Sequence, residues 1–113
     1  MQVSVKDNKK FKVLSLSGEV DLYESPKARE QILDCLKSDV SLLIDLSAVS
    51  YIDSSGIASL VEGLQLAREK KLDFALISIS HAAIQVLKLA RLDQVFSVYD
   101  TVDDYRNTVG KNK

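Results

Sequence analysis

The feature that most constrains the fold is the junction of two opposite hydropathy patterns in the middle of the chain. Ser41 to Leu46 (SLLIDL) is a short, nearly continuous apolar run. A run that short is a buried strand, covered on both faces and central in its sheet. From Gly56 to Lys70 the apolar residues Ile57, Leu60, Val61, Leu64 and Ala67 fall at i, i+3, i+4, i+7 and i+10, the spacing of an amphipathic helix. Arg68, Lys70 and Lys71 place positive charge at its end, where the helix dipole favours it. A buried strand leading straight into a helix is the unit of a parallel sheet with helical crossovers.

The same alternation extends in both directions. Val3 to Val5 is a short edge strand and Asp7-Asn8-Lys9-Lys10 a polar turn. Phe11 to Ser17 alternates, with Leu14 and Leu16 on one face and Ser15 and Ser17 on the other, and Gly18 ends it. Ser25-Pro26 reads as an N-cap followed by proline at the first helical position. That helix runs to about Lys37 and buries Ala28, Ile32, Cys35 and Leu36. Phe74 to Ile79 is a second buried strand. Ser80 caps a helix whose stripe is Ala83, Ile84, Leu87 and Ala90. Val95 to Tyr99 is a short strand, and Asp100-Thr101 opens a last helix through Val102, Tyr105 and Val109. The expected class is α/β, with a mixed, mostly parallel sheet of about four to five strands. One domain covers residues 1–109, and residues 110–113 form a loose C-terminal tail.

Composition narrows the function. A chain of 113 residues buries roughly two thirds of its extended surface and needs no staple of disulfide or metal. The single Cys35 suits a reducing compartment and reads as a small core side chain. With a formal net charge of −1 and no basic patch, nucleic acid is not an expected partner. No apolar run approaches membrane-spanning length, so the expectation is a cytoplasmic protein without direct membrane insertion. One His and one Cys, far apart, leave no metal-ligand cluster, and His81 reads as a first-turn surface residue. There is no Gly-x-Ser-x-Gly elbow, no phosphate loop and no Gly-x-Gly-x-x-Gly fingerprint. The chain is not expected to be an enzyme or to hold a cofactor.

What remains is the polar turn Asp53-Ser54-Ser55-Gly56. It stands where a helix start exposes unpaired N–H groups, so Asp53, Ser54 or Ser55 can cap them. A capping hydroxyl can also accept a phosphate. A phosphoserine carries about −1.5 to −2 charge, which the N-terminal dipole and amides tolerate. Glu19, Asp21 and Glu24 follow the second strand, and beside Ser54 they make an acidic rim. Added phosphate would repel a docked partner while leaving the fold intact. Asp45, the one charge in its strand, is either an outward strand residue or part of that rim.

Three segments in order resemble the STAS domain family of bacterial anti-sigma factor antagonists. Leu16-Ser17-Gly18-Glu19-Val20-Asp21 resembles its Leu-x-Gly-Glu-Leu-Asp signature. Ile44-Asp45-Leu46 through Asp53-Ser54-Ser55-Gly56 resembles its central motif, and Leu89 to Phe96 its late Leu-Asp-x-Val/Ile-Phe segment. The resemblance covers about residues 11–105. It implies a small mixed sheet with helices packed on one side, and no catalysis. It implies phosphorylation at Ser54, the serine directly after the motif aspartate, with Ser55 as a cap. Partner contact is expected on Glu19, Asp21, Glu24, Asp53, Ser54, Ser55 and Gly56, of which Asp21 resembles a family position that serves it. The implied partners are an anti-sigma factor that is a serine kinase, which spends ATP on that serine, and a phosphatase that resets it. The unphosphorylated form binds. Antagonists commonly continue Gly-Leu-Gly, whereas this chain has Gly56-Ile57-Ala58. That variant is also similar to STAS accessory subunits of lipid-transport ABC systems, which implies the transporter's ATPase subunit as the alternative partner.

Overall fold

A computed structural model describes residues 1–8 and 10–111. The elements follow in the order β1 (Gln2–Asn8), β2 (Phe11–Val20), α1 (Ser25–Lys37), β3 (Ser41–Ile52), α2 (Ser54–Glu69), β4 (Phe74–Ile77), α3 (His81–Leu89), β5 (Ser97–Tyr99) and α4 (Val102–Lys111). They build one five-stranded sheet in the order β1-β2-β3-β4-β5. β1 and β2 form an antiparallel hairpin, and every later pairing is parallel. The parallel pairings follow from the helices between those strands, since a crossover returns the chain to the same end of the sheet.

Strand ends differ from the sequence expectation for local reasons. β1 is longer than Val3 to Val5, because it pairs along its length with β2 from Gln2↔Ser17 to Asn8↔Phe11. Asp7 and Asn8 therefore belong to the strand, and of the expected turn residue 9 lies outside the described residues. β2 does not end at Gly18. The register shifts between Ser15 and Ser17 and again between Gly18 and Glu19. Gly18 takes φ +82°, a left-handed conformation that costs glycine little, and the strand resumes to Val20. β4 stops at Ile77, short of Ile79, where Ser78 turns away and its Oγ donates to the Asp100 carbonyl at 2.7 Å.

The strand period sorts side chains onto two faces. Leu14, Leu16, Leu42, Ile44, Leu46, Phe74 and Leu76 face α1, α2 and α3 in the larger core. Phe11, Leu43, Ala75 and Ile77 face the other way and meet Tyr105 of α4. Helices on one side thus describes α1, α2 and α3, while α4 lies across the opposite face. Its Val102, Tyr105 and Val109 repeat an apolar stripe that must be buried, and that second face is the free one. Phe11 and Tyr99 hold Tyr105 edge to face at centroid distances of 5.3 and 5.5 Å. The helix continues through Lys111, so part of the expected tail is helical, and residues 112–113 lie outside the described residues.

One helix start and one helix end are corrected by packing. Ser25 is not the N-cap of α1; Glu24 holds that position and makes no side-chain capping bond, while Ser25 is buried inside the first turn. Ala90 is the exposed C-cap of α3 and does not belong to its buried stripe. Ser80 does cap α3, accepting from the Ala83 amide at 3.2 Å. Close approach also explains two glycines. A Cβ on Gly63 would lie 2.6 Å from Ile32 and 2.8 Å from the Phe74 ring, which is how tightly α2 sits between α1 and β4. A Cβ on Gly56 would lie 2.6 Å from Ile52 and 2.9 Å from the Val20 carbonyl, so the start of α2 rests on the ends of β2 and β3.

Candidate functional site

The site is assembled where β2 and β3 end side by side. Their parallel register pairs Glu19 with Tyr51 and Val20 with Ile52, and the Asp53 amide donates to the Val20 carbonyl at 3.3 Å. The β2–α1 turn and the β3–α2 turn therefore leave the carboxyl end of the sheet together, the usual place for binding residues in α/β folds.

Of the three polar residues that could cap α2, Asp53 does so. Its backbone is extended and its Oδ1 accepts from the Ser55 amide at 3.0 Å, the Gly56 amide at 3.2 Å and the Ser55 hydroxyl at 2.5 Å. The Ser55 hydroxyl bond foremost holds the Asp53 carboxyl below its usual range, with backbone amides of Gly56, Ser55 and Leu22 adding to it against some desolvation. Ser55 is thereby occupied as a donor and half-buried. It is not the cap that the resemblance implied. Ser54 differs: it is the first residue of α2, it is exposed, and its hydroxyl makes no hydrogen bond among the described residues. Gly56 is buried beneath the turn, and the buried Ser59 hydroxyl lies within bonding distance of the Ser55 and Ser25 carbonyls at 3.2 and 3.3 Å. The turn is anchored from below and open above.

The acidic residues divide. Asp21 is half-buried and works on its own turn, where Oδ1 accepts from the Tyr23 and Glu24 amides at 3.1 and 3.0 Å. Its carbonyl accepts from the Glu24 and Ser25 amides at 3.1 and 2.8 Å. Glu24 lies 3.8 Å from the Met1 amino group, and Glu19 is exposed beside Tyr51. Asp45 is not on this rim. It projects from the α4 face, accepts from the Ser47 amide at 2.9 Å, and lines a cavity of about 350 Å³ with Lys6, Asp7, Val13, Ser15 and Arg106.

Sequence reasoning passed over three side chains at this end of the molecule. Leu22 is 67% exposed, Tyr23 89% and Tyr51 49%. The available signal was an apolar pair, Leu22-Tyr23, set inside a turn that polar residues otherwise make. Beside the turn a shallow groove of about 270 Å³ runs between α1 and α2, lined by Pro26, Arg29, Ser55, Ala58, Ser59 and Glu62. Arg29 and Glu62 pair across it. Ala58 is exposed there, so its methyl replaces no close packing contact; Gly56 and Gly63 make those.

Elsewhere the chemistry is sparse. His81 is an exposed first-turn residue near Gln85, and Cys35 is a buried thiol whose pKa burial pushes up. Among the described residues no group of three or more His, Cys, Asp or Glu could hold a metal ion, and no helix is long and apolar enough to cross a membrane.

This geometry can be set against known proteins. Residues 2–105 match the family model of the STAS domain. The chain belongs to the STAS domain family. The anti-sigma-B factor antagonist of Bacillus subtilis is 26% identical over 98 residues, covering 87% of this chain and 90% of that protein. The crystal structure of an anti-sigma factor antagonist from Mycobacterium paratuberculosis superposes with a TM-score of 0.82 at 29% identity, over 96% of this STAS domain and 92% of that chain. The phosphorylated form of the Bacillus cell fate determinant SpoIIAA shares the fold, with a TM-score of 0.74 at 16% identity over 96% of this chain and 99% of that one.

Proposed function

We propose that this STAS domain is an anti-sigma factor antagonist, a cytoplasmic binding module without catalytic activity of its own, switched by phosphorylation of Ser54. The observation that carries the reading is the division of labour in the β3–α2 turn. Asp53 caps the helix and engages Ser55, which leaves Ser54 as the exposed hydroxyl, unengaged among the described residues. A kinase can reach it without breaking a structural bond. The names of the relatives support the same reading, since both the Bacillus subtilis protein and the Mycobacterium paratuberculosis structure are antagonists.

In the unphosphorylated form the module binds an anti-sigma factor that is also a serine kinase. The kinase transfers phosphate from ATP to the Ser54 hydroxyl, and a phosphatase removes it. The phosphate enters the field of the α2 dipole, but two of the N-terminal amides are already taken by Asp53. Its charge of about −1.5 to −2 therefore projects outward beside the Asp53 carboxylate and adds to the acidic charge of Glu19 and Asp21. The partner is repelled, and the helix start keeps its cap. The transporter-subunit reading rested on Ala58, and an exposed methyl at that position separates the two poorly.

The test is incubation with the cognate serine kinase and ATP, followed by mapping of phosphate by mass spectrometry. Label at Ser54, absent in Ser54→Ala, is expected; label only at another residue, or none, sinks the switch. Ser54→Asp is expected to weaken kinase binding while its stability stays within about 0.5 kcal/mol of wild type, as for an exposed substitution.

A further inference from the structure

We propose that Leu22, Tyr23 and Tyr51 are the apolar anchors by which the unphosphorylated chain is held, and that their occupant is the anti-sigma kinase, presenting an apolar pocket rimmed by Lys or Arg. The proposal rests on the antagonist reading and names residues for it that lie outside the motif.

Three observations converge. The first is exposure: Leu22 at 67%, Tyr23 at 89% and Tyr51 at 49% all stand at the carboxyl end of β2 and β3. Tyrosine in particular combines a large contact area with few rotatable bonds, and it is enriched among residues that dominate interface energy.

The second is rigidity. An exposed Leu-Tyr pair on a loose loop would lose entropy on binding, but this turn is clamped. Asp21 takes the Tyr23 and Glu24 amides on its carboxylate and the Glu24 and Ser25 amides on its carbonyl. The Asp53 amide donates to the Val20 carbonyl at 3.3 Å, so the strand end that leads into this turn is tied to the residue beside Ser54. The anchors are presented preorganised, which lowers the cost of docking. Asp21 is thus a positioning residue for Leu22 and Tyr23.

The third is charge. Exposed Glu19 pairs with Tyr51 across the strands, Asp21 and Glu24 flank Leu22 and Tyr23 in the turn, and Asp53 follows Ile52 at the end of β3, so carboxylates neighbour each of the apolar side chains. An acidic rim around an apolar centre calls for a partner of the opposite pattern, basic outside and apolar inside. It also explains how one phosphate can release that partner: the new charge enters the same clamped unit that presents the anchors.

The experiment is calorimetric titration of the full chain with the purified serine kinase that labels Ser54. Wild type is compared with Leu22→Ala, Tyr23→Ala and Tyr51→Ala, with melting curves alongside. Tyr23→Ala is expected to weaken binding by about 30-fold, and Leu22→Ala and Tyr51→Ala by about tenfold each. Melting temperatures should be unchanged, because the side chains are exposed. Asp21→Asn, whose amide oxygen can still accept both turn amides, should bind better than Asp21→Ala. Binding by all three alanine variants within twofold of a wild type that binds and is labelled would overturn the anchors and leave the antagonist reading standing. A wild type that neither binds the kinase nor is labelled would overturn both. Self-association of the wild type, lost in Tyr23→Ala by sedimentation, would assign the patch to a second copy of this chain and overturn the kinase as occupant.

Discussion

On one face of the sheet three helices seal a core that runs from Leu14 on β2 to Leu87 on α3. On the other a single ten-residue helix, α4, covers what it can. A helix of that length reaches roughly 15 Å, less than the width of five strands spaced at roughly 4.8 Å. Cavities of about 380 and 350 Å³ therefore open beside it, the first toward Asp73, Ser97 and Thr108, the second toward Lys6, Asp45 and Arg106. The sealed face is closed at backbone distance by Gly56 and Gly63, whereas the α4 face is held by an aromatic cluster, by Arg106 over the Phe11 ring and by a polar bond from Tyr105 to Asp73 at 2.8 Å. The contrast teaches where precision is kept. The Ser54 turn sits at the rim of the sealed face, with Gly56 beneath it, so its position is inherited from packing that leaves no room for a Cβ.

The contrast can be broken in four places. Ile32→Ala empties a fully buried site between α1 and α2 and is expected to cost about 2–5 kcal/mol in urea denaturation. A loss below about 1 kcal/mol would mean the sealed face is looser than its packing indicates. Gly56→Ala should come next, at about 1–3 kcal/mol, because the new methyl meets a backbone carbonyl and a packed isoleucine. The shift should also reach the Ser54 turn and slow its labelling by the kinase. Stability equal to wild type would show that β2, β3 and α2 can separate freely.

Tyr105→Phe deletes only the hydroxyl that donates to Asp73 and is expected to cost about 0.5–1.5 kcal/mol, with labelling of Ser54 unchanged. An effect on labelling would join two regions that the fold keeps apart. Asp53→Asn is the subtlest, and acid reveals it. The native carboxyl sits below its ordinary pKa, so its contribution is present above the unfolded-state value and lost as pH falls through the folded one. Wild type should therefore lose part of its melting temperature on acidification that Asp53→Asn, with no carboxyl to titrate, does not lose. Parallel acid limbs for the two proteins would remove Asp53 from the pH response.

Much of this was legible in residue order. The apolar run of β3 and the 3.6-residue period of α2 are records of burial, and burial is a collective property that a pattern preserves. The strand ends were less legible because they are set by neighbours: Gly18 lets β2 continue through a bulge only because β3 is there to pair with it. The side of the sheet taken by α4 was likewise invisible, since its stripe says that it must be buried but not against which face.

At the site the same boundary recurs. By itself the sequence determined that a polar turn, Asp53-Ser54-Ser55-Gly56, joins a buried strand to a helix, and that the motif matches the STAS family. Only the tertiary structure decided that Asp53 is the cap, that Ser55 is spent on it, and that Ser54 is left exposed. It also turned Asp21 inward to clamp its own turn and stood Leu22 and Tyr23 outward. The reason is physical. Periodicity averages over many residues and survives small changes in geometry, whereas a hydrogen bond forms or fails within a few tenths of an ångström, and only the packed backbone settles that distance.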